Sequence, residues 1–312
     1  MSENIIYNLE NQIRKLINIP HKHYELRQNK PLFSQLCSCL DVIEDTEDAI
    51  SAYIEKDFGQ DKPSLYLTIY GLLQAFFVQQ DAVNNLREAL GVKETTDIYP
   101  KLREIKEIRN DSIGHPTKRN QRKGKLISYH HITQITLNKS GFTLTSYYSD
   151  DSPPQFKYID IPDLIKEQNK YISAILSTLL INLEEEERKH KEKFQMEKLL
   201  ALFPNTLDYY LEKLSEGVHR DESVNLAEGC LDLIITSVND FLEAVKRRNM
   251  DLYERIQDEF GLFEHATNNL RKYYKGINGV AKPDARIYII YLSHQLSSFK
   301  ELAKEIDIDY AT

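Results

Sequence analysis

An arginine and a histidine, Arg109 and His115, stand close together in the run "KEIRNDSIGHPTKRNQRKGK" (residues 106–125). The pair suits chemistry at a phosphate. Imidazole exchanges protons near neutral pH because its ordinary pKa is about 6.5. The planar guanidinium keeps its charge and engages two phosphate oxygens at once. Five more cations follow between 118 and 125: Lys118, Arg119, Arg122, Lys123 and Lys125, in a chain whose formal charge is −8. A patch of that kind can track a phosphate backbone. It can equally be the solvated loop at the polar end of a helix.

The elements that position these residues decide between the readings. Residues 97–116 have helical spacing, with Pro100 in the first turn and with Gly114 and Pro116 expected to end the helix. With Leu102 at 0°, Ile105 falls at about 300°, Ile108 at about 240° and Ile113 at about 20°. Arg109, at about 340°, lies inside that apolar stripe, where an arginine must be paired, cross an interface or snorkel out. His115 lies at the stripe's edge, and Asn110 and Asp111 on the opposite side. The preceding segment, "LYLTIYGLLQAFFVQQDAVNNLREALG", carries Leu65, Ile69, Leu72, Phe76, Gln79, Val83, Leu86 and Leu90 at strict helical spacing, with Gly91 as its stop. Gln79 is the polar member of that stripe. Packed against the next helix, it is expected to accept a hydrogen bond from Arg109; the alternative is a buried amide that fixes helix register.

The rest of the chain reads as mainly α. Pro31–Phe58 has helical spacing. After the basic run the period changes to strands at 126–137 and 142–149 around the turn "NKSG", with a third at 155–161. Helix resumes at Asp163 and runs to about Leu202, through a charged face with pairs Glu184–Arg188, Glu185–Lys189 and Glu187–Lys191. Pro204 and Asn205 break the pattern, and helical segments follow near 206–216, 223–247, 251–274 and 284–305. The expected organisation is a helical bundle over 1–203 with a small β-hairpin insertion at about 126–161, then a second all-α unit over 204–312.

Composition excludes several classes. Three cysteines, Cys37, Cys39 and Cys230, cannot form a disulfide framework, and no Cys/His set has zinc spacing. No metal or cofactor is therefore expected. His21, His23, His130 and His131 lack carboxylate or cysteine partners in sequence and are expected at the surface, and Asp111 and Ser112 as solvent-facing or helix-end residues. No apolar run approaches the roughly 18 residues that span a membrane, and the first residues lack a signal-peptide pattern, so a cytoplasmic location is expected.

"IRNDSIGHP" resembles the R-x(4–6)-H signature of the HEPN superfamily, including the asparagine that often follows its arginine. The order of elements is similar too: a long helix bearing "FFVQQDAVNNL", a short connection, then a helix ending in Arg-Asn…His-Pro, over roughly residues 30–200. The bare spacing also occurs from Arg14 to His21, with Pro20 inside it and no supporting helix pair. The resemblance implies a HEPN-like bundle that forms a homodimer with two motifs facing one cleft. It also implies metal-independent endoribonuclease activity of the kind found in toxin–antitoxin, abortive-infection and CRISPR-associated antiviral defence systems. RNA would be the substrate, and a regulatory or antitoxin protein a further partner.

In that chemistry a base takes the 2′-OH proton, a cation holds the phosphorane-like charge and an acid protonates the leaving 5′-oxygen. His115 would be general acid/base and Arg109 the phosphate clamp. Asn110 would hold the phosphate, fix the His115 tautomer or cap local backbone. A dimer supplies two histidines and two arginines. Lys118, Arg119, Arg122, Lys123 and Lys125 would bind the RNA backbone, and the aromatic residues Tyr129, Phe142, Tyr147 and Tyr148 would stack bases or pack the sheet. Two other classes fit the same residues: a non-catalytic helical module for nucleotide binding or protein interaction, and an RNA-binding protein that leaves RNA whole.

Overall fold

Helix starts and stops follow local chemistry. Asn29 caps one helix by accepting the Leu32 N–H at 3.3 Å, and Asp61 caps the next by accepting the Ser64 N–H at 3.3 Å, each with a proline in the first turn. The second helix ends in a Schellman arrangement: Gly91 adopts φ +76°, its N–H bonds Glu88 O, and Val92 N–H bonds Arg87 O.

The computed structural model describes residues 5–59, 61–92, 99–120, 126–250, 254–277 and 279–311. In chain order the elements are α1 (Ile5–Ile17), α2 (Pro20–Arg27), α3 (Lys30–Glu55), α4 (Lys62–Ala89), α5 (Pro100–Arg109), a π turn (Asn110–Gly114), β1 (Arg119–Asn120), β2 (Ile127–Asn138), β3 (Gly141–Tyr148), β4 (Gln155–Asp160), α6 (Ile161–Phe194), α7 (Leu207–His219), α8 (Val224–Arg247), α9 (Glu254–Tyr274) and α10 (Lys282–Asp309). The protein is mainly helical with one small antiparallel sheet.

The chain divides into two compact units, Met1–Ile17 with Leu26–Glu184, and Asn18–Glu25 with Glu185–Thr312. Reading the proline break at 204 as the boundary misses that Phe194, Leu199 and Phe203 already belong to the second core. In the first unit, Leu65, Ile69, Leu72, Phe76, Val83 and Leu86 of α4 are all buried, as are Leu36, Leu40, Ile43 and Ile50 of α3. Each such side chain contributes up to about 1.5–3 kcal/mol of transfer free energy, which fixes α4 as the scaffold on which α5 rests. In the second unit α7, α8, α9 and α10 close around Leu231, Ile234, Phe241, Phe263, Leu270 and Phe299.

The sheet is a meander, β1-β2-β3-β4, with every neighbour antiparallel. Three strands match the expected positions. The fourth, β1, lies inside the basic run, where the sequence offers only two paired residues, Arg119 with Ser128 and Asn120 with Ile127. On α6, Arg188 turns to Glu185 and Glu192 rather than to Glu184, while the Glu185–Lys189 and Glu187–Lys191 pairs form at 3.2 and 3.9 Å. No described helix is long and apolar enough to cross a membrane.

Candidate functional site

The helix that carries the motif changes pitch at the motif itself. α5 ends at Arg109, and the next five residues wind as a π turn in which the His115 N–H donates to Asn110 O at 2.7 Å. The wider turn alters the phase of everything after Arg109, so His115 does not occupy the position that an uninterrupted helix to 116 would give it. His115 is exposed, with φ −140° and ψ 49°. The turn also brings the Gly114 backbone against the arginine: a Cβ at Gly114 would lie 2.8 Å from Arg109 Nη1 and 3.3 Å from Asn110 Oδ1. Glycine is what permits that approach. Local π turns recur at functional positions.

Arg109 is half-buried and held on three sides. Nε and Nη2 donate to Gln74 Oε1 at 3.1 and 2.7 Å, Nη1 donates to Asn110 Oδ1 at 3.1 Å, and the guanidinium carbon stands 4.5 Å from the centre of the Phe77 ring. All of these partners are neutral. Among the described residues the guanidinium is therefore oriented without being neutralised, and its remaining N–H groups, one on each terminal nitrogen, have no partner there and can meet an anion. The Lys106 ammonium lies 5.6 Å from the same ring.

The expected Gln79–Arg109 hydrogen bond does not form. Gln79 is fully buried; it donates to Glu47 Oε2 at 3.0 Å and accepts from Gln168 Nε2 at 2.9 Å. Gln74 and Gln79 are about 140° apart around α4, so the inward stripe that singles out Gln79 points to the core, away from the arginine. The missed signal was a second stripe on the same helix, Leu67, Tyr70, Gln74 and Phe77, again at alternating spacings of three and four.

The basic run divides on inspection. Lys118 is exposed. Arg119 is committed: Nη1 bonds Asp111 and Nη2 bonds Glu107, so its charge is matched by two carboxylates and it is not a free phosphate ligand. Arg122, Lys123 and Lys125 lie outside the described residues. Asp111 and Ser112 lie at the helix end, one of the two places expected, and do not face solvent freely. Asp111 anchors Arg119 and lies 3.4 Å from His130 Nε2, and Ser112 is buried with its hydroxyl unpartnered.

His130 is likewise buried rather than on the surface, with Nδ1 2.8 Å from Ser146 Oγ and Nε2 2.9 Å from Ser128 Oγ. Burial lowers its pKa; the Asp111 carboxylate works against that shift and Arg119 with it. The His130 N–H bonds Pro116 O at 2.6 Å, so β2 is tied to the chain directly after His115. Of the four aromatic residues singled out, Phe142 is core, Tyr148 bonds Gln155, and Tyr129 and Tyr147 remain exposed.

The second Arg…His spacing match comes apart. Arg14 bonds Glu10 and Asp41 in the first unit. His21, expected at the surface, is buried in the second unit. Its ring stacks on His190 with centroids 3.7 Å apart, and its Nε2 lies 3.0 Å from Glu187 Oε2. His190 Nε2 meets the Tyr310 hydroxyl at 2.8 Å, and the buried Arg248 guanidinium stands over the Phe194 and Tyr310 rings. Burial first, and then the neighbouring His21, push the His190 pKa down to about 4. Among the described residues no group of three His, Cys, Asp or Glu side chains is placed to hold a metal ion. Comparison with protein-family models, with curated proteins and with solved structures finds no match to this chain.

Proposed function

We propose that this chain is a metal-independent endoribonuclease of the HEPN type, acting as a homodimer with a composite site. The observation that carries the reading is the Arg109 guanidinium, fixed by two amide oxygens and an aromatic face, with no carboxylate paired to it among the described residues and an exposed histidine six residues further along the chain. A surface arginine has no need of such a mount; a phosphate clamp does.

His115 takes the proton from the ribose 2′-OH as that oxygen attacks phosphorus. Arg109 holds the charge that builds on the non-bridging oxygens, and the P–O5′ bond breaks as the His115 of the second copy supplies a proton to the leaving oxygen. A cyclic 2′,3′-phosphate and a free 5′-hydroxyl result. Asn110 acts through Arg109, as a positioning residue. The outer face of α4 supports the second copy: Leu67 is 76% and Tyr70 39% exposed, on the stripe that also carries Gln74 and Phe77. The cytoplasm, where RNA is abundant, is the compartment that suits this activity, and a toxin or antiviral effector kept in check by a protein partner is the biological role proposed.

The test is cleavage of mixed single-stranded RNA in EDTA by wild type, His115→Ala and Arg109→Ala, with fold monitored by circular dichroism. Wild type is expected to cut and both variants to fail while remaining folded. Equal cleavage by all three, or a wild type that leaves every RNA whole, would overturn the reading in favour of a binding module.

A further inference from the structure

The sheet of the first unit has one face in the core and one face that is unusually aromatic. Ile132, Phe142, Leu144 and Ile159 point inward and are buried. Strand register places the others together: Tyr129 opposite Tyr147, His131 opposite Thr145 and then Phe156, and Thr143 opposite Tyr158. Phe156 is 70%, Tyr158 55%, Tyr147 44% and Tyr129 39% exposed, and the His131 and Tyr147 rings lie near parallel, with centroids 5.8 Å apart and 18° between planes. Strands about 4.8 Å apart thus carry flat rings in adjacent rows.

Exposed aromatics on a sheet face mark an interaction surface. The kind of partner follows from ring type and charge. The large exposed side chains of these rows present π faces, and single-stranded bases stack on such faces whatever their sequence. The aliphatic Ile135 of β2, 90% exposed, lies past the break in register after Thr133. From Lys118 to Asp160 the sequence carries seven Lys or Arg against three Asp or Glu; with Arg119 spent on Asp111 and Glu107 and Lys157 on Glu104, five cations remain, Lys118, Arg122, Lys123, Lys125 and Lys139. That balance favours a phosphate backbone. Tyr129 adjoins His130, whose N–H is bonded to Pro116 O next to His115, so the first ring of the face lies within a few residues of the motif.

We propose that Tyr129, His131, Tyr147, Phe156 and Tyr158 form a stacking platform that binds the bases of single-stranded RNA and leads the strand to the Arg109–His115 turn. The proposal rests on the ribonuclease reading for the identity of the strand as RNA and for where it leads. Tyr158 has a structural duty as well, since its hydroxyl lies where a Gly141 Cβ would be, at 2.7 Å. Phe156 and Tyr147 are therefore the cleaner probes.

The experiment is fluorescence anisotropy with a fluorescein-labelled single-stranded 2′-O-methyl RNA of about 12 nucleotides, one site's length. The missing 2′-OH keeps it whole. Phe156→Ala and Tyr147→Ala are each expected to weaken binding about tenfold, Phe156→Trp to preserve it, and Phe156→Leu to behave like alanine because it keeps apolar area but loses the ring. The same sequence as a duplex should bind more weakly. Unchanged affinity in the Phe156→Ala/Tyr147→Ala double variant would overturn the platform, as would leucine performing as well as tryptophan. So would a change in molar mass by light scattering with RNA affinity intact, which would assign the face to contact between copies. Binding without cleavage of ordinary RNA would leave the stacking platform standing and sink the nuclease; cleavage with binding indifferent to the rings would do the reverse.

Discussion

Arg109–His115 and Arg14–His21 satisfy the same loose spacing, and the fold treats them in opposite ways. In the first pair both residues belong to one helix end, and the arginine's partners are a glutamine, an asparagine and a phenylalanine, none of them charged. In the second, Arg14 is matched by Glu10 and Asp41, while His21 is sealed against His190 and Glu187 in the other unit. A cation already paired with carboxylates has little left to offer a phosphate, and a buried imidazole cannot reach one. Spacing nominates a pair; the charge of its partners and its access to solvent decide what it can do.

The widest separation between the two pairs should appear in catalysis. His115→Ala is expected to lower RNA cleavage by about 10²–10⁴, the usual worth of a positioned proton-transfer group. His21→Ala should leave cleavage within a small factor of wild type and instead lower the unfolding midpoint, because it strips a buried stack and leaves Glu187 with only the longer Lys191 pair. Cleavage that survives His115→Ala and falls with His21→Ala would reverse the assignment.

The glutamines of α4 extend the contrast to residues that touch no substrate. Gln79→Ala removes one buried hydrogen bond each from Glu47 and Gln168, and is expected to cost about 3 kcal/mol by denaturant unfolding, from those lost bonds and lost packing together. Gln74→Ala, at a half-buried position, should cost less than about 1 kcal/mol. It should nonetheless slow cleavage markedly, with Gln74→Glu unable to rescue, since a carboxylate would neutralise the guanidinium that the amide only orients. If both variants lose stability alike and keep their activity, Gln74 is packing and nothing more.

These two glutamines also mark how far the sequence could be read. The α4 stripe and the strands after the basic run are visible because burial imposes a period of 3.6 or 2 on side-chain polarity. Gln79 stood out for being polar inside such a stripe. What periodicity cannot supply is the partner across a gap: Gln74 lies on a half-exposed face whose pattern matters only once α5 rests on it. Nor does it register the π turn, because Asn110–Gly114 would also suit the last turn of an α-helix. The partnering of Arg119 with Asp111 and Glu107 is hidden for the same reason: a run of like charge does not show that one of its members meets carboxylates eight and twelve residues back.

Gly114→Ala tests the turn itself at smaller scale. A methyl group 2.8 Å from Arg109 Nη1 forces the guanidinium aside, so cleavage is expected to fall about tenfold, equivalent to 1.4 kcal/mol of transition-state stabilisation. The melting temperature should barely move, because the φ at Gly114 is not in the left-handed region and the side chain that must shift is the flexible end of an arginine. Unaltered cleavage would mean that the arginine's seat tolerates displacement and that its orientation is not what the turn provides.

The smallest effect expected is a pH dependence confined to the second pair's surroundings. His190 is held near pKa 4 by burial first and by the adjacent His21 ring next, against an unfolded value of about 6.5. Between those values the unfolded chain binds a proton that the folded chain refuses. Stability is therefore full above about pH 6.5 and is lost as pH falls toward 4, by at most about 1.4 kcal/mol per pH unit and by less where water reaches the ring. Glu187, where burial pulls the pKa up but His21, Lys191 and His190 together bring it down, adds to the loss below its ordinary range. Arg248 and Lys193 stand nearby as cations and deepen the His190 shift, while Tyr310 shares its hydrogen bond. His190→Phe keeps an aromatic ring in the stack but cannot take a proton. Wild type should thus lose a few degrees more of melting temperature than the variant between pH 7 and pH 5, and the buried His130 of the first unit, present in both, cancels from that difference. Parallel curves would show that the His21–His190 stack absorbs acid without strain, and the contrast with the exposed His115 would then rest on access alone.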